Sequence, residues 1–236
     1  MADHSKIEWT DATWNPVTGC TKVSAGCKHC YAERQWKRLS APGMPYAGRA
    51  FTDVALHPER LDQPLRWRKP RRIFVNSMSD LFHPDVPDDY IDRVFAVMAL
   101  APQHTFQVLT KRPRRMRDLM IRAKYTSPGW AEAACGIEIP GIDKQSEAWL
   151  DRIRALPSWP LPNVWLGASI EDQLTADERT VRLLQTPAAV RWLSVEPMLG
   201  SVNLPRVDFH CDLCGGTGML ARWPKGRCHH CNGRGF

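Results

Sequence analysis

Arg72-Ile73-Phe74-Val75-Asn76-Ser77-Met78-Ser79-Asp80 holds a short β-rich run that stops abruptly in polar residues. Alternating bulky apolar side chains favour a buried strand. Pro87 then opens a helix, pre-set for the first helical turn, with Ile91, Val94, Phe95, Val97 and Met98 toward one side. The same unit recurs. Thr105–Thr110 predicts a second strand, followed by Lys111 and a basic helix from Pro113 to about Lys124 that buries Met116, Leu119 and Met120. Asn163–Ser169 predicts a third, followed by Glu171 and a helix from about Ala176 to Gln185. Val190–Val195 predicts a fourth, ending in Glu196-Pro197, and a further strand is expected around Ala12–Val17. Strands alternating with helices imply an α/β fold with a parallel sheet. Each strand ends in chemically capable residues, the pattern of βα barrels, whose sites gather at the C-terminal strand ends.

Outward from these units, segments 40–70 and 124–162 are Pro-rich and read as long loops carrying short helices. From Cys211 onward the chain is too short and Gly-rich for an apolar core of its own. The expected organisation is a partial βα barrel over 1–207 and a small module over 208–236.

The chain has 236 residues, enough for a sizeable core, with 43% hydrophobic and 24% charged residues, which excludes a disordered polymer. No apolar run approaches the roughly 18 residues of a membrane span. Met1–Thr10 has no signal-peptide core, so a cytoplasmic protein without a membrane partner is expected. Lys and Arg total 32 against 25 Asp and Glu, a net charge of +7. Two basic runs stand out: Arg66, Arg68, Lys69, Arg71, Arg72, and Lys111, Arg112, Arg114, Arg115, Arg117. Such runs read either as solvated faces or as contacts to nucleic acid.

Eight cysteines in a chain of this kind point to metal or redox chemistry before disulfides. Cys20, Cys27 and Cys30 share one loop between Gly19 and Tyr31. A [4Fe–4S] cluster binds one thiolate per iron, so three cysteines leave one iron open to a small ligand. The alternative is a zinc site completed by His29. Cys135 stands alone and is assigned no role.

The closing Cys27-Lys-His-Cys30-Tyr-Ala resembles the cluster loop of radical S-adenosylmethionine (SAM) enzymes, distantly that of spore photoproduct lyase. It departs from them in having six residues between Cys20 and Cys27, where most have three, and His29 where an aromatic residue is usual. With its flanks the match is closer. Ile7–Cys20, Val75–His83, Leu109–Pro113, Asn163–Glu171 and Ser194–Pro197 resemble a phage and prophage family of radical-SAM-like, three-cysteine proteins of poorly described function.

That resemblance implies a TIM-like partial barrel of the radical SAM type, SAM bound at the open iron, and reductive cleavage to a 5′-deoxyadenosyl radical. It places Asn76, Ser77, Ser79 and Asp80 at the SAM amino group, and Ser169 and Glu171 at the ribose. Lys111 and Glu196 fall at the SAM carboxylate or the substrate. It also implies an electron donor such as a flavodoxin and a three-Cys-motif partner protein. For Asp80 and Glu171 a helix cap or an internal salt bridge is the competing reading.

Cys211-Asp-Leu-Cys214-Gly-Gly-Thr-Gly and Cys228-His-His-Cys231-Asn-Gly-Arg-Gly are two copies of one knuckle. Four cysteines in two such pairs make a closed structural zinc site, and the repeat resembles those of DnaJ-type chaperones. The phage family usually continues after its Glu-Pro motif with a glycine-rich strand, which is not visible here. The expected function is therefore a radical SAM enzyme modifying a nucleic-acid base or nucleotide in a phage or prophage context. The alternative is a non-enzymatic, metal-stabilised protein that binds nucleic acid or a partner.

Overall fold

In the computed structural model, Ser5 and residues 7–125, 129–139 and 141–204 are described. The chain divides into two units, Met1–Val202 and Asn203–Phe236, and the account below concerns the first. Cys211, Cys214, Cys228 and Cys231 lie outside the described residues.

Seven strands are present among the described residues: β1 Ala12–Trp14, β2 Val17–Thr18, β3 Ala55–Leu56, β4 Arg72–Val75, β5 Thr105–Thr110, β6 Val164–Ile170 and β7 Val190–Val195. The helices are α1 Tyr31–Leu39, α2 Gln63–Arg66, α3 Asp88–Leu100, α4 Pro113–Tyr125, α5 Gly129–Cys135, α6 Glu147–Arg154 and α7 Gln173–Gln185. Five strands form one sheet in the order β1-β4-β5-β6-β7, every pair parallel. The predicted strand over 12–17 is divided. Pro16 lacks the N–H that would continue the ladder, so β1 ends at Trp14 and β2 turns away to pair antiparallel with β3.

A sheet whose strand order follows the chain, with right-handed crossovers, places its helices on one face. Consistent with this, α4 packs against α7 as well as α7 against β6. The strand period of two divides the residues accordingly. Ile73, Val75, Phe106, Val108, Val164 and Leu166 join one core with Ile91, Val94, Phe95 and Met98 of α3 and Met116, Leu119 and Met120 of α4. Sequence periodicity predicts an apolar stripe on α3, yet Val94 through Leu100 are buried without a break. This helix packs against α5 as well as the core, so a stripe would not suffice.

The opposite face carries Phe74, Gln107, Trp165, Gly167 and Trp192. Phe74 and Trp192 are three strands apart, about 14 Å across a flat sheet. Both nevertheless touch the ring of Trp9, at 4.8 and 5.3 Å between centroids. The side chains of this face converge, as those of a concave surface do, and Gln107 Nε2 donates to the Trp9 carbonyl at 3.3 Å. Gly167 lies under Trp192, where a Cβ would come within 2.5 Å of the indole ring. Among the described residues no helix is long and apolar enough to cross a membrane.

Candidate functional site: a cysteine loop held by two buried carboxylates

The cysteine loop follows β2, shortly after the C-terminal end of β1, and is pinned at its entry. Gly19 N donates to the Met78 carbonyl at 3.1 Å, and Cys20 N to that of Phe51 at 2.8 Å. Gly19 has φ +89° and a Cβ there would sit 2.3 Å from the Asp53 carbonyl oxygen, so only glycine suits the position. A 3-10 turn, Ala25–His29, carries Cys27, and Cys30 caps α1. All three thiols are half-buried and none forms a disulfide.

Asn76, Ser77 and Ser79, which leave the end of β4, are brought to the lead-in of this loop. Asn76 adopts φ 60°, a left-handed conformation that asparagine tolerates better than most residues. Its Oδ1 accepts from Val17 N at 3.2 Å, and its buried Nδ2 has no partner. Asn15 Nδ2 donates to Ser77 Oγ at 3.1 Å, and Ser79 Oγ donates to the Val17 carbonyl at 2.9 Å.

Asp80 is buried and spent on the chain's own donors. It accepts from Thr110 Oγ1 at 2.7 Å, Phe82 N at 3.0 Å, Lys111 N at 3.1 Å and Arg112 Nη1 at 3.1 Å. The same guanidinium donates to Cys20 Sγ at 3.5 Å and, through Nη2, to the Thr21 carbonyl at 2.9 Å. Burial, and then the negative charge of Asp80, push the Cys20 thiol up to about 11. Arg112 opposes both.

Glu171 has no exposed surface. Ser24 Oγ donates to its Oε1 at 2.7 Å, and Gly26 N to its Oε2 at 2.8 Å. Lys111 Nζ is its ion-pair partner, and Arg179 Nη1 lies 3.4 Å from Oε1. Burial raises the pKa of this carboxyl, but the bonds from Lys111, Ser24 and Gly26 outweigh it and hold it at about 2. A Cβ on Gly26 would fall 2.4 Å from the carboxylate carbon, so the loop approaches Glu171 closely because residue 26 has no side chain. One carboxylate thus holds Cys20 through Arg112, and the other holds the turn around Cys27 directly.

Ser169 and Glu196 are not drawn to the loop by any contact in this site. Ser169 Oγ donates to the Glu196 carbonyl at 3.0 Å, and Glu196 itself is exposed. His83 is buried beneath the loop, its Nε2 2.7 Å from Thr21 Oγ1, and it accepts from Asp85 N at 3.2 Å. Burial and Arg112 hold it below the usual imidazole range, against the opposing charges of Asp85 and Asp80. His29 is exposed.

Sequence reasoning missed Ser24, Gly26 and Arg179, and took Arg112 only as part of a basic run. The available signal was the pairing of Asp80 and Glu171, at the ends of two parallel strands, with basic residues after a third. The basic run 111–117 is largely internal: Lys111 pairs with Glu171, Arg112 with Asp80, Arg115 with Asp88 and Arg117 with Asp118. In the other run, Arg66 pairs with Asp62 and Arg72 with Asp11.

Among the described residues no three His, Cys, Asp or Glu side chains are grouped as a single metal ion requires. A cube does not demand that grouping, because its thiolates bind separate irons. The donor set fits it: three thiols on one anchored loop, with Arg112 donating to Cys20 and the Ser24 hydroxyl 3.7 Å from Cys27 Sγ. A cavity of about 490 Å³ between Pro58, Asp62, Arg93 and Ile139 shares no lining residue with the loop.

Fold and site together define an α/β protein with a parallel sheet, whose C-terminal edge carries a carboxylate-held cysteine loop. The chain belongs to the family DUF5131, described as a protein of unknown function, whose family model matches residues 4–225. Neither a curated protein nor a solved structure matches it.

Proposed function

We propose that this chain is a cytoplasmic radical SAM enzyme with a partial-barrel fold, acting on a nucleic-acid base or nucleotide. The observation that carries the reading is the double anchoring of a three-cysteine loop by Asp80 and Glu171 at the C-terminal edge of a parallel sheet. Sites of βα barrels are built at that edge, and the concave face marked by Trp9 supports the barrel reading.

Cys20, Cys27 and Cys30 would hold a [4Fe–4S] cluster with one iron free of cysteine. When bound, the cluster supplies the electron that cleaves a carbon–sulfur bond of SAM. The chain's residues fix the loop, and each has a defined part. Glu171 orients the Cys27 turn, Asp80 orients Arg112, and Arg112 supplies an N–H to the Cys20 sulfur. Asn76 Nδ2, a buried donor without a partner at the end of β4, would be available to a ligand there. Asp80 and Glu171 act as positioning residues rather than as SAM contacts. The substrate class rests on the net charge of +7 and on the phage-family resemblance. An electron donor such as a flavodoxin and a three-Cys-motif partner belong to the same reading, as does zinc on the four C-terminal cysteines.

A second reading, a metal-stabilised binding protein without catalysis, is favoured by the complete use of both carboxylates by the chain itself. Anaerobic reconstitution with iron and sulfide separates the two. The enzyme is expected to show a reducible cluster whose electron paramagnetic resonance (EPR) signal changes with SAM, and to release 5′-deoxyadenosine on reduction. Zinc filling the N-terminal loop, with no response to SAM, overturns the enzymatic reading.

A further inference from the structure

Arg112 stands apart from the other cations near the cysteine loop. Lys111 and Arg179 spend their charge on Glu171, whereas Arg112 divides its guanidinium among Asp80, Thr21 and Cys20. Its side chain is about nine-tenths buried, at 10% exposure, so the charge acts on the sulfur with little screening by water. The planar fork of arginine serves acceptors on three residues at once, which a lysine ammonium on a flexible stem does not reproduce. Asp80 fixes the fork, being itself held by Thr110 Oγ1 and by the backbone N–H groups of Phe82 and Lys111.

We propose that Arg112 is the positioning residue that sets the reduction potential of a cluster bound at Cys20, through an N–H···S bond whose geometry Asp80 enforces. This rests on the cluster reading above. Reduction adds one electron, and therefore one negative charge, to the cluster. A cation and an N–H donor at a ligating sulfur favour the reduced state, and hydrogen bonds to cluster sulfurs are an established control of potential. The wild-type potential is accordingly higher than it would be without Arg112.

The test is a potentiometric titration of the full chain, reconstituted anaerobically and followed by EPR, for wild type, Arg112→Gln, Arg112→Lys and Arg114→Gln. Arg114 is exposed on the same helix and controls for loss of charge alone. At matched iron content, Arg112→Gln is expected to give a more negative midpoint potential, Arg112→Lys a smaller shift of the same sign, and Arg114→Gln none. A fully loaded Arg112→Gln protein with the wild-type potential overturns the proposal, as does an equal shift in Arg114→Gln. Should Arg112→Gln take up no iron, Arg112→Lys decides: a negative shift supports the proposal and the wild-type potential overturns it. Failure of the wild-type chain itself to take up iron and sulfide is a different result, and sinks the cluster reading instead.

Discussion

Glu171 concentrates much of the site's electrostatics in one buried side chain. Its ionised form is held by Lys111, Ser24 and Gly26, with Arg179 alongside. Removing the charge while keeping the shape, by Glu171→Gln, leaves two cations facing an amide. Breaking one partner of a buried pair costs several kcal/mol; with Lys111 partly exposed, a loss of about 3 kcal/mol is expected, read as a lower denaturant midpoint. The pH dependence follows from the same bonds. The folded carboxyl titrates at about 2, against an ordinary 4.5, so its stabilisation is complete above the ordinary value. It is lost as pH falls toward the folded one. Wild type and Glu171→Gln should therefore converge in stability between about pH 4.5 and pH 2, and parallel curves there would contradict this account. Gly26 offers a complementary test. Gly26→Ala drives a methyl into the Glu171 carboxylate, so the variant should remain folded by circular dichroism yet bind less iron on reconstitution. Iron content equal to wild type would show that the close approach is not needed.

At the scale of elements, strands β4 to β7 and the helices after β4 and β5 were legible, because period-two runs bounded by proline or polar residues carry their own signal. Helix α7 begins at Gln173 rather than near Ala176. Its capping box uses Asp172 with Thr175, not the glutamate or glutamine that marks such a start in sequence. Helix α1, directly after Cys30, was masked by the cysteines. The site was legible in its cysteines and its two carboxylates. Their roles were not, because contacts such as Gly26 to Glu171 span 145 residues and leave no local pattern. The same holds for Gly167, which reads as a weak point in a strand until Trp192 is seen above it. Gly167→Ala forces the indole aside, an overpacking cost of about 1–3 kcal/mol. Among the described residues β7 pairs only with β6, so hydrogen exchange should rise at Val190–Val195 while β4 and β5 keep their protection. Adding Trp192→Ala should recover part of the loss, since residues in contact are not additive; strict additivity would place the strain elsewhere.

Among the described residues of the first unit there are two separate apolar clusters, and Cys30 of the cysteine loop packs against the smaller. The larger joins the sheet to α3 and α4. The smaller consists of Ala32, Trp36, Tyr46 and Met78, with Cys30, Leu39 and Phe51 against it. Trp36 stacks on Tyr46 at 4.5 Å, and its indole N–H donates to the Arg49 carbonyl at 2.9 Å. Four buried side chains remove far less apolar area from water than the main core does, and hydrophobic stabilisation scales with that area. The smaller cluster should therefore open at a lower free energy, as a sub-global unit. A group bound to Cys20, Cys27 and Cys30 would stabilise chiefly the state in which this unit is closed. Stripping iron from the reconstituted protein under anaerobic conditions should then speed amide exchange over residues 20–39 and 46–51. Amides of β4, β5 and β6 should keep their protection, because Asp80 and Glu171 are held by bonds that need no metal. A uniform loss of protection across those central strands would mean that loop and main core open as one cooperative body, with the carboxylate anchors depending on the bound group rather than preparing its site.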